Sequence, residues 1–256
     1  ESIKKAIKYF EKSANLNNTY GLNALGLIYV VGKKISRDFS RAKKYYEKAL
    51  ELNNINSYLN LAYLYMEGYG VEKDYARAAQ YYSNAAEKNN SKAMVHLGKM
   101  YKKGLGVTIN LQKARELFEK SANLGNVDAF HLLGNLYLHG KGVKPDYEKA
   151  KKYYMIASMN SDRSSLYKLG IIYEKGLGVE KNILKAKEYY EMAAKNGYYS
   201  AYINLANFYI NDEFFDADEE KAINYYLNNI STKSEKIIYE NNGFYRVRKN
   251  LGYYPS

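Results

Sequence analysis

The chain has 256 residues, 39 Lys or Arg against 27 Asp or Glu, a formal charge of +12, two prolines, 31 tyrosines, no tryptophan and no cysteine. The absence of cysteine excludes a disulfide scaffold, a Cys-ligated zinc site and a catalytic thiol, and no run of about 18 apolar residues is present to cross a membrane. The positive charge fits nucleic acid, an anionic membrane or an acidic partner, although AT-rich coding sequence favours Lys, Asn, Ile and Tyr and accounts for much of it. Beginning at Glu1 rather than Met, the chain reads as a fragment from which a signal peptide could have been removed. A soluble protein is expected, cytoplasmic or secreted/periplasmic.

Taken in chain order, Ser2–Asn18 reads as a single helix, and from residue 19 onward the sequence repeats. An alanine after a basic residue recurs at Ala6, Ala42, Ala78, Ala114, Ala150, Ala186 and Ala222, each step being 36 residues. The same step links Leu25, Leu61, Leu97, Leu133, Leu169 and Leu205, and it links Tyr29, Tyr65, Tyr101, Tyr137, Tyr173 and Tyr209. It also links the aromatic pairs Tyr45-Tyr46, Tyr81-Tyr82, Tyr153-Tyr154, Tyr189-Tyr190 and Tyr225-Tyr226, with Leu117-Phe118 as the variant.

One unit, Ser91–Asn126, shows how the repeat folds. Ala93, Leu97 and Tyr101 lie at i, i+4 and i+8, one face of a helix, here termed A. Gly98 beside Leu97 admits a close neighbour, as Gly134 and Gly170 do in later units. Gly104 follows as a left-handed C-cap, and Asn110 caps a second helix, B, whose buried face carries Ala114, Leu117, Phe118 and Ser121. Asp38, Asp74, Asp146, Asn182 and Asp218 take the Asn110 position elsewhere, and Asp and Asn are good N-caps. Each unit is therefore an antiparallel helix pair.

The turn between A and B reads G-x-G-V at Gly68, Gly104, Gly140 and Gly176. A dinucleotide-binding loop follows a strand, opens a helix and has a third glycine. These turns follow a helix, and Lys181 stands where that third glycine would be after Gly176. No G-x-x-x-x-G-K-[ST] occurs. The turn is read as structural: its first glycine takes positive φ, and its valine tucks under the helix pair.

The recurring pattern A-x-x-x-L-G-x-x-Y-x-x-G-x-G-V…D-x-x-K-A-x-x-Y-Y-x-K-A-A resembles the Sel1-like repeat family, a relative of the tetratricopeptide repeat. The resemblance covers residues 1–230: a partial repeat with helix B only (1–18), then six repeats (19–230). The ends depart from the pattern, with VGKKIS for the glycine turn in the first full unit and NDEFFDAD in the last. The resemblance implies an all-α, right-handed α-solenoid used as a protein–protein adaptor, in roles that span signalling, protein quality control and bacterial host interaction. Some secreted members carry a disulfide in each repeat, which this chain cannot form. Residues 231–256 leave the register. They are read as a capping segment, either a hairpin around the Asn-Gly turn or a degenerate helix starting at KNLGYY.

Three features invite a more specific function. The tyrosines could stack on bases, but 17 of the 31 fall at repeat-packing positions, so they are read as structural. The basic residues Lys5, Arg41, Arg77, Lys113, Lys149, Lys185 and Lys221 form a ladder, read as a solvated edge with anion binding as the sharper alternative. His131, Asn135 and His139 share a helix face, but two histidines eight residues apart rise about 12 Å, too far to share one metal. No HExxH, catalytic triad or cofactor motif occurs. No catalytic residue, metal or cofactor is expected.

Solenoid A helices usually line the concave side. With Leu97, Gly98 and Tyr101 facing the packing, positions 92, 95, 99 and 102 and their equivalents at steps of 36 are assigned to the groove. Units one and two then contribute the apolar Leu27, Val30, Leu59, Tyr63 and Met66. Unit three contributes Lys92, Val95, Lys99 and Lys102. Units four to six contribute Asp128, His131, Asn135, Leu138, Tyr167 and Asn207, with Ile171, Glu174, Ile203 and Ile210. Exposed apolar residues in a groove mark a binding surface. The expected partner is a protein or peptide with acidic and apolar groups. A basic surface for nucleic acid or anionic membrane, and a regulatory module of a larger enzyme or secreted effector, are the alternatives.

Overall fold

The computed structural model describes residues 2–32, 35–210 and 218–230. Among the described residues it holds thirteen helices and no strand: α1 Ser2–Asn15, α2 Thr19–Val31, α3 Phe39–Glu51, α4 Ile55–Glu67, α5 Tyr75–Glu87, α6 Ser91–Lys103, α7 Leu111–Asn123, α8 Val127–His139, α9 Tyr147–Met159, α10 Arg163–Lys175, α11 Ile183–Lys195, α12 Ala201–Ile210 and α13 Glu219–Ile230. The even-numbered helices are the A helices and the odd-numbered ones the B helices, so the fold is an all-α repeat solenoid. The residues Lys33-Lys34, most of NDEFFDAD and the segment 231–256 lie outside the described residues. The chain divides into two units, one of residues 1–136 and 140–144, the other of 137–139 and 145–256.

Local chemistry sets each helix boundary. At the start of every B helix from α3 onward, the side-chain oxygen of Asp38, Asp74, Asn110, Asp146, Asn182 or Asp218 accepts the backbone N–H three residues on, at 2.8–2.9 Å, satisfying a donor that the helix leaves open. The same six cap residues donate their own N–H to the carbonyl of Tyr29, Tyr65, Tyr101, Tyr137, Tyr173 or Tyr209 at 2.9–3.0 Å. That bond ties the start of B to the last turn of A. Gly104 caps α6 at φ +70°, as expected. Gly106 is also left-handed, at φ +65°, and a Cβ there would run into the backbone carbonyl of Tyr75 at the start of the preceding B helix. The second glycine of the turn is thus required by close approach as well as by φ. Val71 and Val107 pack against the core, as read from the sequence.

The return turn from B to A has a register of its own. Asn17, Asn53, Asn89, Gly125, Ser161 and Gly197 all take positive φ, between 56° and 82°. The first helix therefore stops at Asn15 rather than at Asn18: Asn17 has turned left-handed, and Asn18 caps α2 by accepting from the N–H groups of Tyr20 and Gly21.

Packing follows the repeat. Ala42, Ala78, Ala114, Ala150 and Ala186 are fully buried, and Tyr46, Tyr82, Phe118, Tyr154 and Tyr190 are at most 2% exposed. Three of these rings, Tyr46, Phe118 and Tyr190, lie where a side chain on the facing A-helix glycine would otherwise stand. A Cβ on Gly98 would sit 2.5 Å from Phe118 Cε1, and one on Gly26 or Gly170 would overlap the ring of Tyr46 or Tyr190. Burial pushes the phenols of Tyr46, Tyr82, Tyr154 and Tyr190 well above the ordinary tyrosine range, so they stay neutral.

Two outcomes test this packing. Gly98→Val, which must displace the Phe118 ring, is expected to lower the urea midpoint by the equivalent of about 1–3 kcal/mol; an unchanged midpoint would mean the α6–α7 contact is not close. Ser161→Gly is expected to raise the midpoint by about 0.5–1 kcal/mol, because a non-glycine residue is strained at positive φ. A lower midpoint would refute the left-handed assignment at Ser161.

Candidate partner-binding surface

The basic ladder is part of the packing. Six of the seven ladder residues place their charge over the A-helix tyrosine of their own repeat: Arg41 over Tyr29 at 4.9 Å, Arg77 over Tyr65 at 4.7 Å, Lys113 over Tyr101 at 4.6 Å, Lys149 over Tyr137 at 5.2 Å, Lys185 over Tyr173 at 4.5 Å and Lys221 over Tyr209 at 5.0 Å. Five of those tyrosines stack on the first member of the aromatic pair, as Tyr29 does on Tyr45 (5.9 Å between centroids, 9° between planes) and Tyr173 on Tyr189 (5.5 Å, 10°). Arg41 also donates to the Tyr29 hydroxyl at 2.8 Å. A cation over an aromatic face is attracted by the ring quadrupole. The ladder side chains are exposed, as the sequence suggests, but their charges are held against rings.

The residues assigned to a groove have different settings. Leu27 (56% exposed) and Tyr63 (43%) present their side chains to solvent. Tyr63 meets Tyr69 edge-on at 5.7 Å, and Tyr69 stacks on Phe39. Val30, Leu59 and Met66 are half-buried, with Leu59 and Met66 against the core cluster of α4, α5 and α6. Lys92 is exposed, and Lys99 and Lys102 are half-buried. Burial first, then the charges of Lys141, Lys103 and Lys99, pull the Lys102 ammonium below the usual lysine range. Val95 is buried at 3% exposure and is not a surface residue. His96 lies flat on the Tyr82 ring at 4.9 Å. Burial lowers its basicity; Lys99 adds to that effect and Asp128 opposes it.

Asn135 sets its amide nitrogen 2.8 Å from His131 Nε2 and donates to the His131 carbonyl at 3.1 Å. Leu138 is buried, whereas Asp128 is exposed. Tyr167 is half-buried, stacks on Tyr198 at 4.7 Å and donates to Asn204 Oδ1 at 3.2 Å. Asn204 donates in turn to the Tyr190 hydroxyl at 3.3 Å, and that hydroxyl donates to the Glu174 carboxylate. Asn207 is exposed and accepts from the Tyr226 hydroxyl at 2.9 Å. Asn23 accepts from Asn60 at 3.0 Å and from Ser57 at 3.3 Å.

These contacts sort the helix face. Asn23 and Tyr167 reach the next A helix, 34 to 37 residues on, so their register position turns toward the neighbouring repeat. The position shared by Leu27, Tyr63, Lys99, Asn135, Ile171 and Asn207 is exposed at Leu27, Tyr63 and Asn207 and half-buried at Lys99, Asn135 and Ile171. In the first unit it brings an apolar stretch on α2 and α4 beside a lysine-rich stretch on α6.

Sequence reasoning missed one surface. Met155, Met159, Leu166 and Met192 line an open cleft of about 330 Å³ with Lys185, Glu188 and Tyr189, and Met159 is largely exposed. The signal was present: at steps of 36, Met155 replaces Glu47, Glu119 and Glu191, and Met159 replaces Glu51 and Glu87. Methionine adapts to irregular partners.

Among the described residues no group of His, Asp or Glu is arranged to hold a metal ion, and no helix is long and apolar enough to cross a membrane. The family model described as Sel1 repeat matches residues 1–18, 19–54, 55–90, 91–126, 128–162, 163–198 and 200–227. A Sel1 repeat protein from Oxalobacter formigenes is similar in structure, with a TM-score of 0.80, 29% identity and coverage of 88% of this chain and 93% of that one. So is c5321, a protective antigen of uropathogenic Escherichia coli displaying the SLR fold (TM-score 0.74, 31% identity), whose match covers 89% of this chain and 49% of that one. The immunity protein Pa5087 from Pseudomonas aeruginosa follows at a TM-score of 0.53 and 26% identity, covering 84% and 81%. No curated protein sequence matches the chain.

A double-mutant cycle of Lys113→Met and Tyr101→Leu, read by chemical denaturation, is expected to give a coupling energy of about 0.5–1 kcal/mol. A coupling of zero would mean the ladder cations are merely solvated.

Proposed function

The chain belongs to the Sel1 repeat family, whose members are generally protein–protein interaction modules, and on that premise we propose that it is a non-catalytic adaptor whose A-helix surface binds a partner segment. The observation that carries this reading is the juxtaposition on the first unit: solvent-facing Tyr63, with Leu27, Val30, Leu59 and Met66, beside Lys99 and Lys102, where the neighbouring charges acting on Lys102 are all lysines. A segment with carboxylates next to apolar anchors complements that order. Within the same unit Asn135, which shares the register position of Tyr63 and Lys99, adds an amide that can meet a peptide backbone; Asn207 offers the same group within the other unit. The lysines and arginines of the ladder already lie on tyrosine rings, which favours a protein partner over nucleic acid or an anionic membrane.

The two parts of the surface have different roles. Exposed ion pairs contribute about 0–1 kcal/mol each, so the apolar anchors carry more affinity. The lysines set the association rate and the salt sensitivity. Selection of displayed peptides against the protein is expected to enrich Asp or Glu beside Leu, Phe or Met. By calorimetry on an enriched peptide, Tyr63→Ala/Met66→Ala should weaken binding more than Lys99→Glu/Lys102→Glu, while the lysine pair should flatten the salt dependence of the on-rate. Peptides that bind both double variants like the parent would move the site off the A-helix face.

A further inference from the structure

Four lysines converge at the C-terminal end of α6. Lys99, Lys102 and Lys103 lie at i, i+3 and i+4 on its last turns, spacings that bring like charges together on a helix surface. Lys141 lies in the turn that follows α8. In that turn Gly142, at φ +77°, passes against Leu111 at the start of α7, which carries Lys141 back toward α6. All four lysines belong to the same unit of the chain. Lys103 and Lys141 are exposed, and Lys99 and Lys102 are half-buried. The charges acting on Lys102 are those of Lys141, Lys103 and Lys99, with no carboxylate among them; Asp128 acts on His96. Among the described residues, none of the four side chains makes an ion pair, a hydrogen bond or a ring contact. Lysines elsewhere are engaged: Lys43 pairs with Glu47 at 3.3 Å, Lys151 with Glu148 at 3.0 Å, and the ladder lies on its rings. The repeat does not require the cluster. One step of 36 residues earlier, Lys99 corresponds to Tyr63, Lys102 to Met66 and Lys141 to Leu105, and Met66 and Leu105 pack against the core. Three positions that are apolar in the preceding repeat therefore hold lysine at one place. The partial negative charge at the end of α6 favours a cation in its last turn, but it does not offset the repulsion among four.

We propose that this cluster is a binding site for a phosphomonoester dianion carried on a partner polypeptide, that is, for a phosphorylated serine, threonine or tyrosine. The proposal rests on the reading of the A-helix surface as the partner site and names the group that its lysines take. A carboxylate balances one charge. A phosphomonoester carries about −1.5 to −2 at pH 7 and offers three acceptor oxygens, so one group can accept from several ammonium groups at once. Lysine binds phosphate as a point charge, which suits flexible side chains arriving from a helix and a turn. Asp or Glu at the same place in a partner segment is the weaker occupant. A compact cluster, with the ladder cations held on rings, fits one dianion better than the evenly charged backbone of a nucleic acid.

The test uses the double variant Lys102→Met/Lys141→Leu, which restores the residues that the preceding repeat carries at these positions and so keeps the fold, as circular dichroism checks. In a first measurement, phenyl phosphate is titrated into isotope-labelled protein at constant ionic strength. It is expected to give saturable NMR shifts at the ε-methylene groups of Lys99, Lys102 and Lys141, to bind at least tenfold more tightly than benzoate, and to lose the response of Lys99 in the double variant. No saturable shift, or a Lys99 shift that persists unchanged in the double variant, would overturn the site. In a second measurement, a degenerate library of phosphoserine peptides is passed over the immobilised protein. Retention is expected to fall at least tenfold after phosphatase treatment of the library, and as much in the double variant. Equal retention of phosphorylated and dephosphorylated peptides would overturn the proposal while leaving the A-helix surface as a partner site; with a positive first measurement it would assign the lysines to a free phosphate compound. Phosphopeptides that bind Tyr63→Ala/Met66→Ala like the parent but fail on the lysine variant would support the phosphate site and remove the apolar anchors from the adaptor reading.

Discussion

The close approach of an A helix to the aromatic ring of its B helix is the constraint on which the rest of the repeat depends. Where the residue after the recurring leucine is glycine, as at Gly26, Gly98 and Gly170, the ring at the second position of the aromatic pair fills the space its side chain would take, and elsewhere alanine is the residue admitted. That ring is buried almost completely in every full unit whose B helix is described. Large aromatic side chains dominate the energetics of such a core, and a close-packed interior tolerates little change of volume. The distance between the two helices then fixes the turn that joins them. The first glycine ends A in a left-handed cap, and the second passes against the start of the previous B helix. The period stays at 36 residues because each of these contacts must recur in the same register.

The same approach decides where charge is used. The tyrosine at the end of each A helix lies beside the first aromatic of the B helix. The cation one residue before the buried alanine settles over that tyrosine. Its backbone N–H is already held by the N-cap three residues earlier. Cap, cation and tyrosine therefore form one recurring clasp, which holds six of the 39 Lys and Arg side chains within the repeat itself. The lysines of α6 stand apart from this clasp. They crowd one another on the outward side of an A helix, and burial together with like charge lowers the proton affinity of Lys102. Such a cluster gains from an acidic neighbour in a way the ladder does not.

Much of the fold was legible in the sequence because its determinants are local and repeated. The i, i+4, i+8 apolar stripe, the Asp or Asn caps, the glycine turn and the 36-residue step all lie within one repeat, and their recurrence made the assignment of helix pairs secure. The aromatic pairs were recognisable as core for the same reason. The candidate surface was less legible. Periodicity identifies the buried stripe of a helix but not which of its flanking positions meets the next repeat. Val95 and Tyr167 fell on the supposed free face, yet Val95 is buried and Tyr167 reaches Tyr198 and Asn204.

The sequence by itself determined the all-α repeat class, the 36-residue step, the role of the first turn glycine and the absence of cysteine chemistry, because each depends on a few adjacent residues or on composition. Only the tertiary structure decided what the ladder cations touch, why the second glycine is needed, that Val95 is buried, and that Met155, Met159 and Met192 share a cleft. These outcomes depend on neighbours that are 12 residues away across a turn or more than 30 residues away in the next repeat, and a single helix pattern carries no record of which neighbour fills the space beside it.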